Sequence, residues 1–398
     1  MISVFQRIIN EQMLNLRHYF KMKVAVLDIT SRNADQYNPA LCNALGNEGA
    51  DVTLLAPVLR GKRLKFSFFA LLKLIPAKWE SNTSSAKRAL RLIECVINYA
   101  VVFFYILLKR PEVLHIQWLP LIDYSSFESG YLKLIKIFSP KLRVYLTAHN
   151  VYPHNIKEED KAVYKKRFLK VDKQLDGYLV HLESSRMMMH KAFGISEDRM
   201  HIAFHGIYTA EGYDVSISEP SDKTNIILFG IQNKYKGADL FVESLALLPQ
   251  QIRKKINAVI VGRTDAKLYS EYKNKAEKLE VKWINRFVAD AELYEAIGNA
   301  DLILLPYRNI SQSGVLLLAL SYRKPILTSD LSSFKETLHG YPDDYFFKRE
   351  DTQSLADMLT RFVNGDIDKK MLCGIIDTLN NKYSWKETAK ATLRAYCI

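Results

Sequence analysis

Two loops in the second half of the chain carry residue types that bind phosphate groups. The first follows a short apolar run, and its small and polar residues are Gly230, Asn233, Lys234, Lys236 and Gly237. A lysine placed there can hydrogen-bond a phosphate and neutralise the charge on a diphosphate leaving group. A solvated lysine on an ordinary loop is the alternative interpretation.

The second loop contains Ser311, Ser313 and Gly314 and leads into an apolar stretch that begins at Val315. That stretch predicts a helix from about Val315 to Tyr322, so a ligand bound by the loop would lie at a helix N-terminus. Free backbone N–H groups and the positive end of the helix dipole make such a junction an anion site. An ordinary N-cap serine gives the same pattern. Both loops follow strands of one predicted sheet, which favours a shared ligand.

A third loop, in the first half, carries two histidines. The segment Thr147–His154 (TAHNVYPH) directly follows a predicted strand, so His149, Asn150 and His154 would lie at its carboxyl end. Their grouping favours a functional role over a structural one. His149 and His154 lack an evident third ligand, and we therefore predict no metal site.

These loops are placed by two series of short apolar runs that alternate with helical stretches, the pattern of parallel βαβ units. The first series of strands is Lys23–Leu27, Asp51–Leu55, Val113–Ile116, Val144–Thr147, Gly177–Val180 and His201–Phe204. The second series is Asn225–Phe229, Ala258–Val261, Val281–Ile284, Asp301–Leu305 and Pro325–Thr328. We predict an extension over residues 1–21, a first domain over 22–210, a linker over 211–224, a second domain over 225–382 and a terminal segment over 383–398.

The charge of the chain is uneven. Its net charge is +13, and nine Lys and Arg residues between Arg60 and Arg91 stand against Glu80 alone. The apolar run Leu92–Leu108 contains Glu94 and Asn98 and falls short of the about 20 residues of a membrane span. We expect a buried or interface-dipping helix there and, with the basic patch, attachment to an anionic membrane surface.

The sequence also bears on a nucleic-acid partner and on the cellular compartment. A nucleic-acid site would interleave aromatic and basic residues on a strand or groove. Phe66 and Phe69 are instead three apart, a helical spacing, so we expect no nucleic acid as partner. The four cysteines form no CxxC pair, which suits a reducing cytosol.

The order of motifs from Lys23 to the C-terminus resembles retaining glycosyltransferases of the GT-B fold, in the large family 4 group. The matching segments are Pro111–Trp118 (PEVLHIQW), Thr147–His154, Val180–Arg186 with Ser184, His205–Tyr208, Phe229–Gly237, Ala300–Arg308, Ser313–Pro325 and Tyr383–Trp385. The resemblance implies an α/β fold with two Rossmann-like parallel-sheet domains facing across a cleft. It also implies a C-terminal helix that crosses back to the first domain.

For the site, the resemblance implies that Lys236 and the Ser313–Val315 helix start hold the diphosphate of a nucleotide-sugar donor. It assigns contact with the transferred sugar to His149, and places Asn150, His154 and Ser184 in the acceptor part of the cleft. Transfer would proceed with retention, by electrostatic stabilisation and positioning, without cofactor or metal.

The chain departs from the family pattern at the donor site. The arginine expected near Asn233 is missing, and Lys234 is the available substitute. The two glutamates of the family's E-x7-E signature fall at Ile310 and Leu318. These losses keep open a second hypothesis, a non-catalytic subunit that binds a nucleotide or a partner enzyme.

Two other reactions of the fold remain as alternatives. An epimerase would need acid and base carboxylates, for which only Glu183 and Glu336 are candidates. An inverting transferase would need a general base, for which Asp28 and His154 are the nearest options. The preferred prediction is a cytoplasmic enzyme, peripheral on the inner face of the membrane. It would move a hexose or related sugar to a lipid-linked or polysaccharide acceptor in cell-surface glycan biosynthesis.

Overall fold

The computed structural model describes residues 22–31, 36–60, 63–74, 85–153, 156–208, 222–310 and 312–398. Within them the chain forms two compact units. One contains the residues up to Gly206 together with Ser384–Ile398, and the other contains Ile207–Tyr383. The structure therefore assigns Ile207 and Tyr208 to the second unit, although we had placed them in the first domain. Most of the predicted linker lies outside the described residues.

The first unit is built on a parallel sheet. Its strands are β1 (Lys23–Leu27), β2 (Asp51–Ala56), β3 (Ser67–Ala70), β4 (Val113–Ile116), β5 (Arg143–Thr147), β6 (Gly177–Val180) and β7 (Met200–Ile202). They lie in the order β3-β2-β1-β4-β5-β6-β7. The central strands β1, β4, β5 and β6 are almost wholly buried, because helices cover both faces of the sheet.

The helices of this unit follow the strands in βαβ order. They are α1 (Tyr37–Asn47), α2 (Ser85–Lys109), α3 (Phe127–Phe138), α4 (Lys161–Asp172), α5 (Glu183–Phe193) and, at the end of the chain, α14 (Trp385–Tyr396). Helices α2 to α5 contribute to one hydrophobic cluster. Helices α1 and α14 contribute to the other, with Ala389, Leu393 and Tyr396 packed against Val113 and Tyr145 of the sheet. The terminal helix thus completes the core of the first unit.

The second unit has a parallel sheet of its own. Its strands are β8 (Thr224–Phe229), β9 (Ile256–Val261), β10 (Lys282–Ile284), β11 (Leu302–Leu305), β12 (Ile326–Ser329) and β13 (Phe346–Phe347). They lie in the order β10-β9-β8-β11-β12-β13. Its helices are α6 (Ala238–Leu247), α7 (Gln250–Arg253), α8 (Ala266–Lys278), α9 (Asp290–Gly298), α10 (Gly314–Ser321), α11 (Ser332–Thr337), α12 (Thr352–Asn364) and α13 (Lys369–Lys382).

The fold-class prediction is confirmed, since both sheets are parallel and Rossmann-like. One local interpretation is wrong. Phe66 and Phe69 do not lie on a helix: Ser67–Ala70 is the edge strand β3, paired with Thr53–Ala56 of β2. A free edge of β2 offers a row of backbone hydrogen bonds, and that non-local pairing outweighs the three-residue spacing.

Candidate active site

The loop over residues 230–237, called the lysine loop below, begins where strand β8 ends. Two glycines determine its shape. Gly230 has φ +93° and Gly237 has φ +76°, a region that favours glycine. A Cβ at Gly237 would lie 2.0 Å from the carbonyl oxygen of Pro306, so only glycine permits this close approach. Between them, Lys234–Lys236 forms one turn of 3-10 helix, and Lys236 N donates to the carbonyl oxygen of the exposed Asn233 at 2.8 Å. The turn directs Lys236 inward.

Lys236 is a buried cation without a counter-ion. Its side chain is only 8% exposed, and burial lowers its pKa to about 8. Among the described residues no carboxylate or hydrogen-bond acceptor lies within reach of Nζ, which instead sits 5.5 Å from the ring centroid of Tyr307. A buried ammonium that lacks a partner is costly unless a ligand supplies the negative charge. The geometry therefore indicates an anion site.

The start of helix α10 converges on the same point. A Cβ built on Gly230 would lie 3.2 Å from Lys236 Nζ and 3.1 Å from Val315 Cγ2. Ser313 caps the helix, because its Oγ accepts from Leu316 N at 3.2 Å. The N–H groups of Gly314 and Val315 belong to the first turn, where no intrahelical acceptor exists. An ammonium and a helix N-terminus thus meet across Gly230, as phosphate binding requires.

A buried carboxylate fixes the lysine loop to the strand β11 loop. Asp239 is 3% exposed and receives two bonds of 2.9 Å from Arg308, Nη1 to Oδ1 and Nη2 to Oδ2. Lys234 Nζ lies 2.5 Å from Asp239 Oδ2. Burial alone would raise the pKa of Asp239, but the bonds from Arg308 and Lys234 outweigh it and hold the pKa low. The Lys234 charge is therefore engaged with Asp239, and Arg308 places a guanidinium at the same loop.

In the first unit, His149 and Asn150 follow strand β5, and both are partly buried. The His149 ring stacks on Trp118, with centroids 4.8 Å apart and planes at 15°. Its Nε2 lies 3.0 Å from Gln117 Oε1. Tyr37 of helix α1 packs edge-on against His149 at 4.9 Å. The strand-end histidine is thus held from three sides.

Three further histidines surround it. His181 follows strand β6, His205 follows β7 by a short loop, and His115 lies on β4. Burial and mutual proximity lower the pKa of His149 well below its ordinary value, and burial brings those of His115, His181 and His205 to about 3, 4 and 3. All four imidazoles are therefore neutral at pH 7, so they act there as hydrogen-bond partners and not as cations.

Of the other candidate site residues predicted from the sequence, one lies at a helix start and two lie outside the described residues. Ser184 lies in the first turn of helix α5, three residues after His181 at the end of strand β6. His154 and Ser311 lie outside the described residues. Within the ranges described, no group of three His, Cys, Asp or Glu side chains has the geometry of a metal site. The absence of a metal requirement stays a prediction.

Sequence reasoning missed several residues of both regions. His115 and Gln117 are two residues apart in the PEVLHIQW motif, with His115 in β4 and Gln117 just after it, and Thr147 and His149 are two apart at the end of β5. That shared period of two was a usable signal. The bidentate pairing of Arg308 with Asp239 had no such signal, because 69 residues separate the partners.

The second unit matches a known family. Residues 223–364 match the model of the Glycosyl transferases group 1 family. The chain is also 22% identical over 231 residues to a GDP-mannose:glycolipid 4-beta-D-mannosyltransferase of Xanthomonas campestris pv. campestris. That match covers 56% of this chain and 62% of the relative, so the chain spans less than two thirds of the curated relative's length.

Solved structures extend the likeness to nearly the whole chain, as a likeness of fold. The Anabaena protein HepE in complex with UDP superposes with a TM-score of 0.64 at 11% identity, covering 94% of this chain and 99% of that one. The lipopolysaccharide outer core galactosyltransferase WaaB gives 0.59 at 12% identity, with the same two coverages. A sucrose-phosphate synthase of Thermosynechococcus elongatus gives 0.66 at 14%, covering 94% and 98%.

The fold of the protein is thus that of GT-B glycosyltransferases, and residues 223–364 of its second unit match the Glycosyl transferases group 1 family. The recognition made from the motifs is confirmed to that extent. Membership of family 4 and retention of configuration stay predictions.

Proposed function

We propose that this chain is a glycosyltransferase that takes a sugar from a nucleoside-diphosphate donor. The observation that carries the proposal is the buried, uncompensated ammonium of Lys236 beside the N-terminus of helix α10. A diphosphate leaving group supplies the missing negative charge, and the fixed positive groups stabilise it as the bond to the sugar breaks. Lys236 and His149 are the residues we expect to act in catalysis.

The direct test is nucleotide binding and sugar transfer by the Lys236→Met variant. Methionine keeps the aliphatic length and removes the charge. We expect saturable binding of one of UDP, GDP or CDP by the unaltered protein, and an affinity about 10- to 100-fold lower together with loss of turnover in the variant. Lys275→Met is the matched control, since that lysine is on helix α8 and pairs with Glu243. Unchanged binding in Lys236→Met would overturn the assignment of Lys236 and the start of helix α10 to the diphosphate site. Binding without transfer to any acceptor would favour a non-catalytic, nucleotide-binding subunit.

For the acceptor we propose a lipid-linked glycan at an anionic membrane. The named activity of the Xanthomonas relative, on a glycolipid, supports this. The surface of the first unit supports it independently. Helix α2 exposes an apolar stripe: Leu92 52%, Ile93 52%, Val96 43%, Ile97 41%, Phe104 61% and Leu108 79%. At a rise of about 1.5 Å per residue, the stripe is roughly 24 Å long.

Helix α3 extends this stripe. Leu134, Ile137 and Phe138 are exposed there, and Phe138 contacts Phe103 of α2 with ring centroids 5.6 Å apart. From residue 60 to residue 110 the chain carries eleven Lys and Arg against two Glu. Exposed apolar side chains beside an excess of positive charge are the two signals that stable binding to an anionic bilayer needs.

Helix α2 is also long enough to be considered as a membrane-spanning helix. Ala89–Lys109 meets the length and composition of a membrane-crossing helix, and 33% of its apolar window is buried in the first unit. Its opposite face packs Cys95, Tyr99, Val102 and Ile106 into the core of that unit. Since a crossing helix would have to give up this packing, we propose that it lies on the cytoplasmic surface of the membrane.

Vesicle sedimentation tests the surface. We expect binding to vesicles of phosphatidylcholine with about 30% phosphatidylglycerol, weakened by salt because exposed charges are screened. The double variant Phe104→Ser, Leu108→Ser should bind more than tenfold less, since burial of each side chain contributes about 1.5–3 kcal/mol. Phe287→Ser, at an 82% exposed site of the second unit, is the control. Equal binding by both variants would reject the proposal that this surface binds the membrane. Resistance to carbonate extraction would favour a membrane-spanning helix.

We further propose transfer with retention and without a divalent metal. Both follow from the family resemblance. The anomeric configuration of the product, read by proton NMR, tests the first. Turnover in the presence of EDTA tests the second, and loss of activity that Mg²⁺ or Mn²⁺ restores would contradict it.

A further inference from the structure

A chain of buried polar side chains links the C-terminal helix to His149. Tyr396 Oη lies 2.6 Å from His115 Nδ1, and His115 Nε2 lies 2.6 Å from Thr147 Oγ1 and 3.3 Å from Gln117 Nε2. Gln117 Oε1 lies 3.0 Å from His149 Nε2. The four residues behind His149 are at most 2% exposed. Buried polar groups cost stability unless they are paired, and here each pairs with the next.

The parallel sheet places these residues together. His115 is opposite Tyr145 in the register of β4 and β5, so His115 and Thr147 share one face of the sheet. Gln117 directly follows β4, and His149 comes two residues after the end of β5. That face is covered by helix α14, which brings in Tyr396. Residues far apart in sequence thereby form one network.

The proton positions follow from the donors and acceptors. The carbonyl oxygen of Gln117 can only accept, so His149 must carry its proton on Nε2, which leaves Nδ1 as its acceptor nitrogen. The amide N–H of Gln117 and the hydroxyl of Thr147 donate to His115 Nε2. The proton of His115 therefore lies on Nδ1 and is donated to Tyr396 Oη. An amide offers one donor and one acceptor end, so it couples the tautomers of the two histidines.

We propose that Gln117 is a positioning residue that holds His149 in the Nε2–H tautomer, and that His115 and Tyr396 fix the orientation of its amide. In that tautomer the nitrogen of His149 that can accept a hydrogen bond is Nδ1. This inference rests on the proposed function insofar as His149 contacts the transferred sugar, whereas the tautomer itself can be measured without any reaction. Tyr396 acts on His149 through two intervening side chains.

The test combines a spectroscopic and a kinetic readout. In protein labelled at its nine histidines, ring ¹⁵N shifts report the tautomer of His149, assigned by the signal missing in His149→Gln. We expect the Nε2–H form in the unaltered protein and a mixture of tautomers in Gln117→Leu. We also expect kcat to fall about 10- to 100-fold, since misplacement of a group costs that much. Nucleotide affinity should stay within about twofold because Lys236 is unaffected.

A matched pair tests the far end of the network. Tyr396→Phe removes the hydroxyl that pairs with His115. Tyr145→Phe removes a neighbouring hydroxyl that bonds the Ala395 carbonyl oxygen at 2.8 Å and also anchors helix α14. Only Tyr396→Phe should shift the His149 tautomer and lower kcat. An unchanged tautomer in both Gln117→Leu and Tyr396→Phe would overturn the inference. A shifted tautomer in a protein that transfers no sugar would preserve it and reject the proposed function.

Discussion

Neutralising Lys236 should stabilise the free protein while weakening its ligand binding. The Nζ group is buried, has no carboxylate partner among the described residues, and has a pKa of about 8 instead of 10.5. Burial thus opposes the charged form. In Lys236→Met the opposing charge is gone, and the aliphatic part of the side chain remains.

The pKa gives the magnitude and the sign. A difference of 2.5 pKa units, from 10.5 to about 8, corresponds to about 3 kcal/mol at about 1.4 kcal/mol per unit. Between pH 8 and 10.5 the unfolded chain holds this proton and the folded chain does not, so the stability of the unaltered protein rises with pH there. The advantage of Lys236→Met should therefore be about 3 kcal/mol at most at pH 7, and should vanish near pH 10.5.

Urea unfolding at pH 7 and pH 9.5 measures this advantage, and titration calorimetry measures binding. A charged hydrogen bond contributes about 1.5–3 kcal/mol, so nucleoside-diphosphate affinity should fall about 10- to 100-fold in Lys236→Met at pH 7. The unaltered protein should lose affinity from pH 7 to pH 9, as the ammonium deprotonates, and the variant should not.

Lys275→Met is the control for stability, since it removes an ion-paired lysine from the same unit and should cost at most about 1 kcal/mol. A Lys236→Met protein that is less stable than the unaltered one at pH 7, and whose nucleotide affinity is unchanged, would refute the reasoning.

Three further predictions concern single contacts. Arg308→Gln should lower the free energy of unfolding by roughly 3 kcal/mol, because the buried Asp239 then keeps only its lysine partner; urea unfolding measures the loss, and a change below about 1 kcal/mol would contradict it. Ser313→Ala should cost about 1 kcal/mol through the lost cap to Leu316 N, with weaker nucleotide binding by calorimetry; no change in either would reject its place in the cradle. Burial raises the pKa of Glu128 to about 7 from 4.5, so the folded chain holds a proton there that the unfolded chain loses between these values. Stability should fall by about 3 kcal/mol over that window; Glu128→Gln should flatten the fall in urea unfolding, and an equal pH dependence in both proteins would contradict the assignment.

The sequence by itself determined the elements and the class of fold. Short apolar runs such as Lys23–Leu27 and Val113–Ile116 are strands in the structure with those bounds, because a strand buried on both faces must be continuously apolar. Glycines at Gly230 and Gly237 marked the lysine loop for a local reason, since both adopt positive φ. Lys236 stood out because its neighbours in sequence define the turn that carries it.

Only the tertiary structure decided which of two neighbouring lysines is uncompensated. Lys234 is paired because Asp239, in the first turn of helix α6, binds both it and Arg308 from the loop after β11. Lys236 is instead turned inward beside Gly230. The sequence likewise could not show that Tyr396 reaches His115 across 281 residues. Local patterns fix backbone conformation, but side-chain partnership depends on strand order and helix packing, which bring distant residues into contact.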